Sequence, residues 1–148
     1  GTPTPITDEK MTRFMISLEE GVSLVWSALQ EMTNGEIFVK KIPSMRVLDI
    51  AKVVRPHEDL EIVGIRPGEK LHEQMIGPED ARFTVEFQDH YRILPSTLTE
   101  VEVSKYATEG GKLAPANFCY TSEENSEWMS PDDLESWLAA NKHRFLEI

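Results

Sequence analysis

"LEIVGIRPGEKLHE", residues 60–73, sets a single arginine at the end of a short apolar run, then proline and glycine, then an acid, a base, a histidine and another acid. Its first six residues read as a strand. GEKLHEQMI (68–76) reads as an irregular turn with the capacity to become helical. Pro67 locks its own φ and Gly68 accepts φ of either sign, so Arg66 stands at a rigid bend that exposes its head group. An arginine so placed can make two parallel charge-assisted hydrogen bonds to phosphate oxygens, and Glu69 can accept from hydroxyls such as those of a ribose. Taken alone, Arg66 fits a surface salt bridge as well as a ligand contact.

The segments before this stretch alternate between helix and strand. The opening TPTPITD (2–8) is extended or irregular, because each proline disfavours helix in the residue before it. MTRFMI (11–16) reads as a strand running into a helix that Ser17 and Glu20 cap, with Val22, Val25, Trp26 and Leu29 recurring at helical spacing. Asn34 and Gly35 are expected to end that helix in the left-handed conformation. EIFV (36–39) reads as a buried strand. In KIPSMRVLDIAKVVRP (41–56), Ser44 is the expected cap, Leu48, Ala51 and Val54 mark one face, and Pro56 stops the helix. Short apolar strands alternating with helices define a mixed, layered α/β fold.

Beyond Ala81 the period changes. RFTVEF (82–87) and HYRIL (90–94) alternate on a period of two and form a predicted hairpin across Gln88 and Asp89. Residues 95–117 show no clean periodicity, and EGGKLAP (109–115) is their strongest turn signal. A last helix is predicted from Ser130 as cap, Pro131 in the first turn, Asp132 and Asp133 at the positive end of the dipole, and a stripe of Leu134, Trp137, Leu138 and Asn141.

The 148 residues suit one domain, with 40% hydrophobic and 28% charged residues. A net charge of −11 argues against a nucleic-acid or anionic-membrane partner. No apolar run is long enough to cross a bilayer and the first residues lack a signal-peptide core, so the expected compartment is the cytoplasm. Residues 1–75 carry nine Lys/Arg against twelve Asp/Glu, and 76–148 carry six against fourteen, so an anionic ligand is sought in the first half. The lone cysteine, Cys119, excludes an intramolecular disulfide and is expected as a small buried hydrophobe.

Absent motifs narrow the chemistry. No pair of glycines supplies the G-x-G-x-x-G spacing of a dinucleotide loop, no tyrosine has a lysine four residues on, and no metal-ligand spacing joins His57, His72, His90 and His143. The sequence therefore offers no catalytic, cofactor-binding or metal-binding set. A second arginine, Arg13, stands at another strand-to-helix junction, where it can meet the same anion as Arg66 from a different side.

Four stretches carry a resemblance: PITDEKMTRFMISLEEGV (5–22), GEIFVKKIPSM (35–45), GIRPGEKLHEQMI (64–76) and YTSEENSEWMSPDDL (120–134). In this order they resemble the C-terminal portion of the inverting UDP-N-acetylglucosamine 4,6-dehydratases, extended short-chain dehydrogenase/reductase proteins of bacterial surface-polysaccharide biosynthesis. That resemblance implies a substrate-binding region without its Rossmann part. It assigns Arg13 and Arg66 to the diphosphate of a UDP-sugar and Glu69 to the uridine ribose, with Lys70 and His72 also in the motif. Residues 1–80 then form the α/β segment carrying these motifs, and 81–148 the hairpin, irregular segment and last helix. The full-length family uses NADP, whose glycine-rich loop and Tyr-x-x-x-Lys pair do not occur here, so the isolated chain is expected to bind without catalysing. Met15 and Lys40 depart from the family's usual larger aromatic and proline.

The competing reading is a stand-alone oligomerising or interaction module with no retained sugar-nucleotide binding. A third partner arrangement is a separate polypeptide that brings the cofactor domain. The Trp26 stripe is expected as core or as a face buried against other polypeptide, and Trp128 as an anchor for the last helix.

Overall fold

The structure, a computed structural model, describes residues 2–141. His143 lies outside them. In chain order the elements are β1 (Thr4–Ile6), β2 (Thr12–Phe14), α1 (Leu18–Glu31), β3 (Ile37–Lys40), β4 (Ser44–Arg46), α2 (Val47–Val54) and β5 (Leu60–Ile62). There follow β6 (Gln74–Ile76), a 3-10 turn (Ala81–Phe83), β7 (Thr84–Glu86), β8 (His90–Ile93), α3 (Glu100–Thr108), β9 (Lys112–Leu113), β10 (Tyr120–Thr121) and α4 (Pro131–Ala140). This is the mixed α/β class that the alternation of elements implied, and it divides into two compact units, each assembled from segments distant in sequence.

One unit draws on residues 2–15, Pro43–Glu73 and 122–141. Here β1 pairs in parallel with β5, Thr4 opposite Leu60 and Ile6 opposite Ile62, and the backbone bond from Val63 N to Ile6 O (2.9 Å) extends the pairing. β2 runs antiparallel to β4, with Thr12 opposite Arg46 and Phe14 opposite Ser44. Helix α2 packs on β1, β4 and α4. Ile6, Met11, Met45 and Leu134 form the buried apolar centre, and Thr12, Ser44 and Ser122 are the polar groups buried with them.

Ser44 does not cap α2. Its N–H donates to Glu127 O (2.9 Å) and its carbonyl accepts from Met129 N–H (2.9 Å), which commits it to extended pairing three residues before the helix opens at Val47. Arg46 takes the N-cap position and makes no side-chain cap. α4 forms as expected: the Ser130 hydroxyl accepts from Asp133 N–H, Asp133 returns the bond to Ser130 N–H, and Pro131 fills the first turn.

The other unit comprises Ile16–Ile42 and Gln74–Thr121. Its main sheet has the order β3-β8-β7-β9, antiparallel throughout, so the predicted hairpin of β7 and β8 lies at its centre. Val85, Leu94 and Tyr106 form the core cluster, with Phe83, Phe87, Leu98 and Val103 packed around it. β3 is an edge strand with β8 as its single sheet neighbour, and its burial varies along one face: Val39 is buried while Ile37, two residues earlier on the same face, is exposed. The turn after Glu69 does not become helical; it ends in β6, which pairs with β10.

The irregular region 95–117 hides a helix, α3. Thr99 and Glu102 form a full capping box, and Gly110 (φ +93°) follows the helix in the left-handed conformation. Tyr106 is its one buried residue, so the apolar stripe that normally betrays a helix is missing. α1 carries the predicted Ser17/Glu20 capping box, yet none of its residues is buried, and Trp26 is 62% exposed. The helix closes at Met32 in an extended conformation; Gly35 (φ +82°) turns the chain afterwards, and Asn34 is not left-handed. Cys119 is half-buried rather than buried.

Candidate functional site

The residues after β5 form a closed turn. Glu69 N–H donates to Arg66 O (3.0 Å), with Pro67 and Gly68 (φ +82°) in the two central positions, the chemistry a type II turn demands. Glu69 locks it further: one carboxylate oxygen accepts from Arg66 N–H (3.2 Å) and the other from Thr7 Oγ1 (3.2 Å). A carboxylate has about four acceptor positions, so roughly two remain for hydroxyls. Arg66 is exposed, and its guanidinium has no partner among the described residues. Lys70 is exposed as well.

Arg13 lies in the same unit and is already employed. Its Nη1 donates to Thr12 O (2.7 Å) and Leu71 O (3.2 Å), its Nη2 donates to Lys70 O (3.1 Å), and its Nε stands 3.4 Å from Glu73 Oε1. Arg13 thus clasps residues 70–73 to β2, assisted by Thr12 N–H donating to Leu71 O (3.1 Å). Of five guanidinium N–H groups, about one on Nη2 stays open to a ligand.

His72 takes a different course. Its Nδ1 lies 2.8 Å from Thr12 Oγ1, which lies 2.6 Å from Ser122 Oγ, and Glu73 N–H donates to Ser122 Oγ (2.9 Å). His72 Nε2 is 3.5 Å from Glu123 Oε2. Reading motifs missed Thr12 and Ser122, which are 110 residues apart and meet only through the fold. Trp128 sits beside this cluster, its Nε1–H donating to Asn125 O (2.8 Å) and its backbone bridged to Ser44, which secures the approach to α4.

Arg13, Arg66, Glu69, Lys70 and His72 thus fall in one unit, on two adjoining segments, although the backbone and Glu73 engage Arg13 far more than Arg66. The described residues contain no group of three His, Cys, Asp or Glu able to hold a metal ion. Their strand-to-helix junctions also do not fit a dinucleotide: residues 15–17 before α1, the direct step from β4 to α2, 94–99 before α3 and 122–130 before α4 contain no glycine.

The unit is a mixed α/β assembly with an exposed arginine on a closed turn after a strand. The chain belongs to the polysaccharide biosynthesis protein family, whose profile matches residues 1–95. It is 43% identical over 134 residues to the UDP-N-acetylglucosamine 4,6-dehydratase (inverting) of Campylobacter jejuni strain 81-176, covering 88% of this chain and 40% of that protein. It is 33% identical over 142 residues to the UDP-glucose 4-epimerase of Rickettsia canadensis, covering 93% of this chain and 41% of that one. Among solved structures, Pen from Bacillus thuringiensis matches with a TM-score of 0.76 at 25% identity, over 95% of this chain and 42% of its own. The chain therefore spans about two fifths of the length of the curated relatives it matches. The resemblance read from the four motifs holds at the level of the family. No described helix is long and apolar enough to cross a membrane.

Proposed function

We propose that this chain is the sugar-nucleotide grip of a UDP-sugar-converting protein of the 4,6-dehydratase type. In this reading Arg66 is the principal diphosphate ligand, because its guanidinium is exposed and has no partner among the described residues, on the turn that Glu69 closes. Arg13 adds one hydrogen bond and its charge while holding residues 70–73 in place. Glu69 offers its remaining acceptor positions to ribose hydroxyls, Lys70 lies on the open side of the same turn, and His72 braces it from behind through Thr12. No residue of this chain is assigned a catalytic role.

The observation that carries the proposal is an exposed arginine on a closed turn in an acidic chain. Each charge-assisted contact contributes on the order of 1.5–3 kcal/mol when shielded from water, so one truncated guanidinium weakens binding roughly 10- to 100-fold. Isothermal titration with UDP-N-acetylglucosamine, on the native chain and on Arg66→Ala, tests this. Binding that the substitution weakens is the expected result, and no heat from the native chain at millimolar ligand removes the proposal.

A second reading, the interaction module, rests on α1. Leu18, Val22, Val25, Trp26 and Leu29 are all exposed along one stripe, and apolar area of that kind favours association. Sedimentation that returns a monomer at high concentration counts against it.

A further inference from the structure

Thr12 and Arg13 are neighbours in β2, so their side chains leave opposite faces of the strand. On the Thr12 face opens a cavity of about 440 Å3 that Arg13 and Arg66 do not line. Its wall contains two cations, Lys10 and Arg46, whose charged groups have no partner among the described residues. Helix α2 begins beside it without a side-chain cap; Val47 N–H already donates to Met11 O (2.9 Å) and Asp49 stands in the first turn, so the helix end adds only a weak partial positive charge next to Arg46.

His72 supplies a third donor, and the buried hydroxyls decide which of its nitrogens bears the proton. Ser122 is fully buried and its oxygen already accepts from Glu73 N–H, so Thr12 Oγ1 is the acceptor left for its own hydrogen. Ser122 therefore donates to Thr12, and Thr12 donates to His72 Nδ1. The opposite polarity strands a buried hydroxyl hydrogen at a cost of about 1–3 kcal/mol. His72 is thereby held as the Nε2–H tautomer, with that N–H at the cavity. Its partner there is Glu123, which is 62% exposed and 3.5 Å away, a loose pair that contributes little.

We propose that this cavity is a second anion site, taking a phosphate monoester of monosaccharide size. The phosphate is held by Lys10, Arg46 and His72 Nε2–H, the ring lies against Trp128, and the Glu123 carboxylate is displaced. Two cations and an imidazole N–H suit the three oxygens of a phosphate monoester, and the volume lies within the roughly 300–1,000 Å3 range of small-molecule sites. Glu9 also lines the cavity, so carboxylates of the chain compete with the ligand. That competition gives the site its signature: removing a carboxylate tightens binding.

The test is titration calorimetry of the whole chain with glucose 6-phosphate as probe, beside glucose and inorganic phosphate. Glucose 6-phosphate is expected to bind and glucose to give no heat. Arg46→Ala, or Lys10→Ala if the former loses its native circular dichroism, weakens the ester about tenfold, and Glu123→Gln tightens it roughly three- to tenfold. Arg66→Ala leaves it unchanged, which separates this site from the turn. The proposal is overturned if neither the native chain nor Glu123→Gln binds the ester, if Arg66→Ala abolishes binding, or if inorganic phosphate binds as tightly as the ester.

Discussion

Glu36 offers the sharpest stability prediction. It is 2% exposed, in the turn between α1 and β3. Burial pushes its carboxyl pKa up, but hydrogen bonds from Tyr106 OH, from Asn34 N–H (2.9 Å) and from Thr33 Oγ1 (3.0 Å) outweigh that and hold it at about 2. Thr33 N–H also donates to it (3.1 Å). A folded-state pKa below the unfolded value means stability that is present above the ordinary 4.5 and lost as pH falls towards 2. At about 1.36 kcal/mol per pKa unit, the ionised carboxylate contributes about 3 kcal/mol near neutrality. Glu36→Gln keeps the shape and removes the charge. Urea unfolding followed by circular dichroism should show the variant about 3 kcal/mol weaker at about pH 6, narrowing to about 1 kcal/mol at about pH 3. A gap that stays constant across that range refutes the reasoning.

Other outcomes follow from the same geometry. Gly111→Ala should destabilise the β7–β9 unit by roughly 1–3 kcal/mol, measured by thermal unfolding, because a Cβ there meets the Val85 side chain and stands 2.8 Å from Tyr106 O. Tyr106→Phe removes the hydroxyl that donates to Glu36 Oε1 and accepts from Asn34 Nδ2, leaving each with Thr33 Oγ1 as partner, and should cost about 1–3 kcal/mol in urea unfolding and raise the Glu36 pKa in a carboxyl NMR titration. Arg13→Ala should lower the melting temperature as well as ligand affinity, whereas Arg66→Ala should lower affinity alone, since only Arg13 holds backbone carbonyls. In a thermal-shift comparison, UDP and UDP-N-acetylglucosamine should raise the melting temperature and NADP should not.

The fold was legible wherever local chemistry decided it. Ser17 with Glu20, Ser130 with Pro131, and the period-two hairpin announce α1, α4 and β7–β8 without help from the rest of the chain. α3 is announced by a capping box, Thr99 with Glu102, and not by an apolar stripe, because Tyr106 is its one buried residue. Ser44 misled because cap chemistry was overridden by pairing with residues 127–129, a contact no local pattern encodes. The turn at Arg66 could be read from Pro67 and Gly68. That Arg13 would spend most of its donors on the carbonyls of Lys70 and Leu71 could not, since those partners lie 57 and 58 residues away. The relay from Ser122 to His72 is likewise a product of tertiary folding alone.

The most direct measurement is a titration of the isotope-labelled chain with UDP, reading the guanidinium Nε–Hε resonances of Arg13 and Arg66. The account predicts a large, saturable shift at Arg66, a smaller one at Arg13, and loss of both in Arg66→Ala. UDP that binds without moving the Arg66 resonance, or that binds Arg66→Ala as tightly as the native chain, contradicts it.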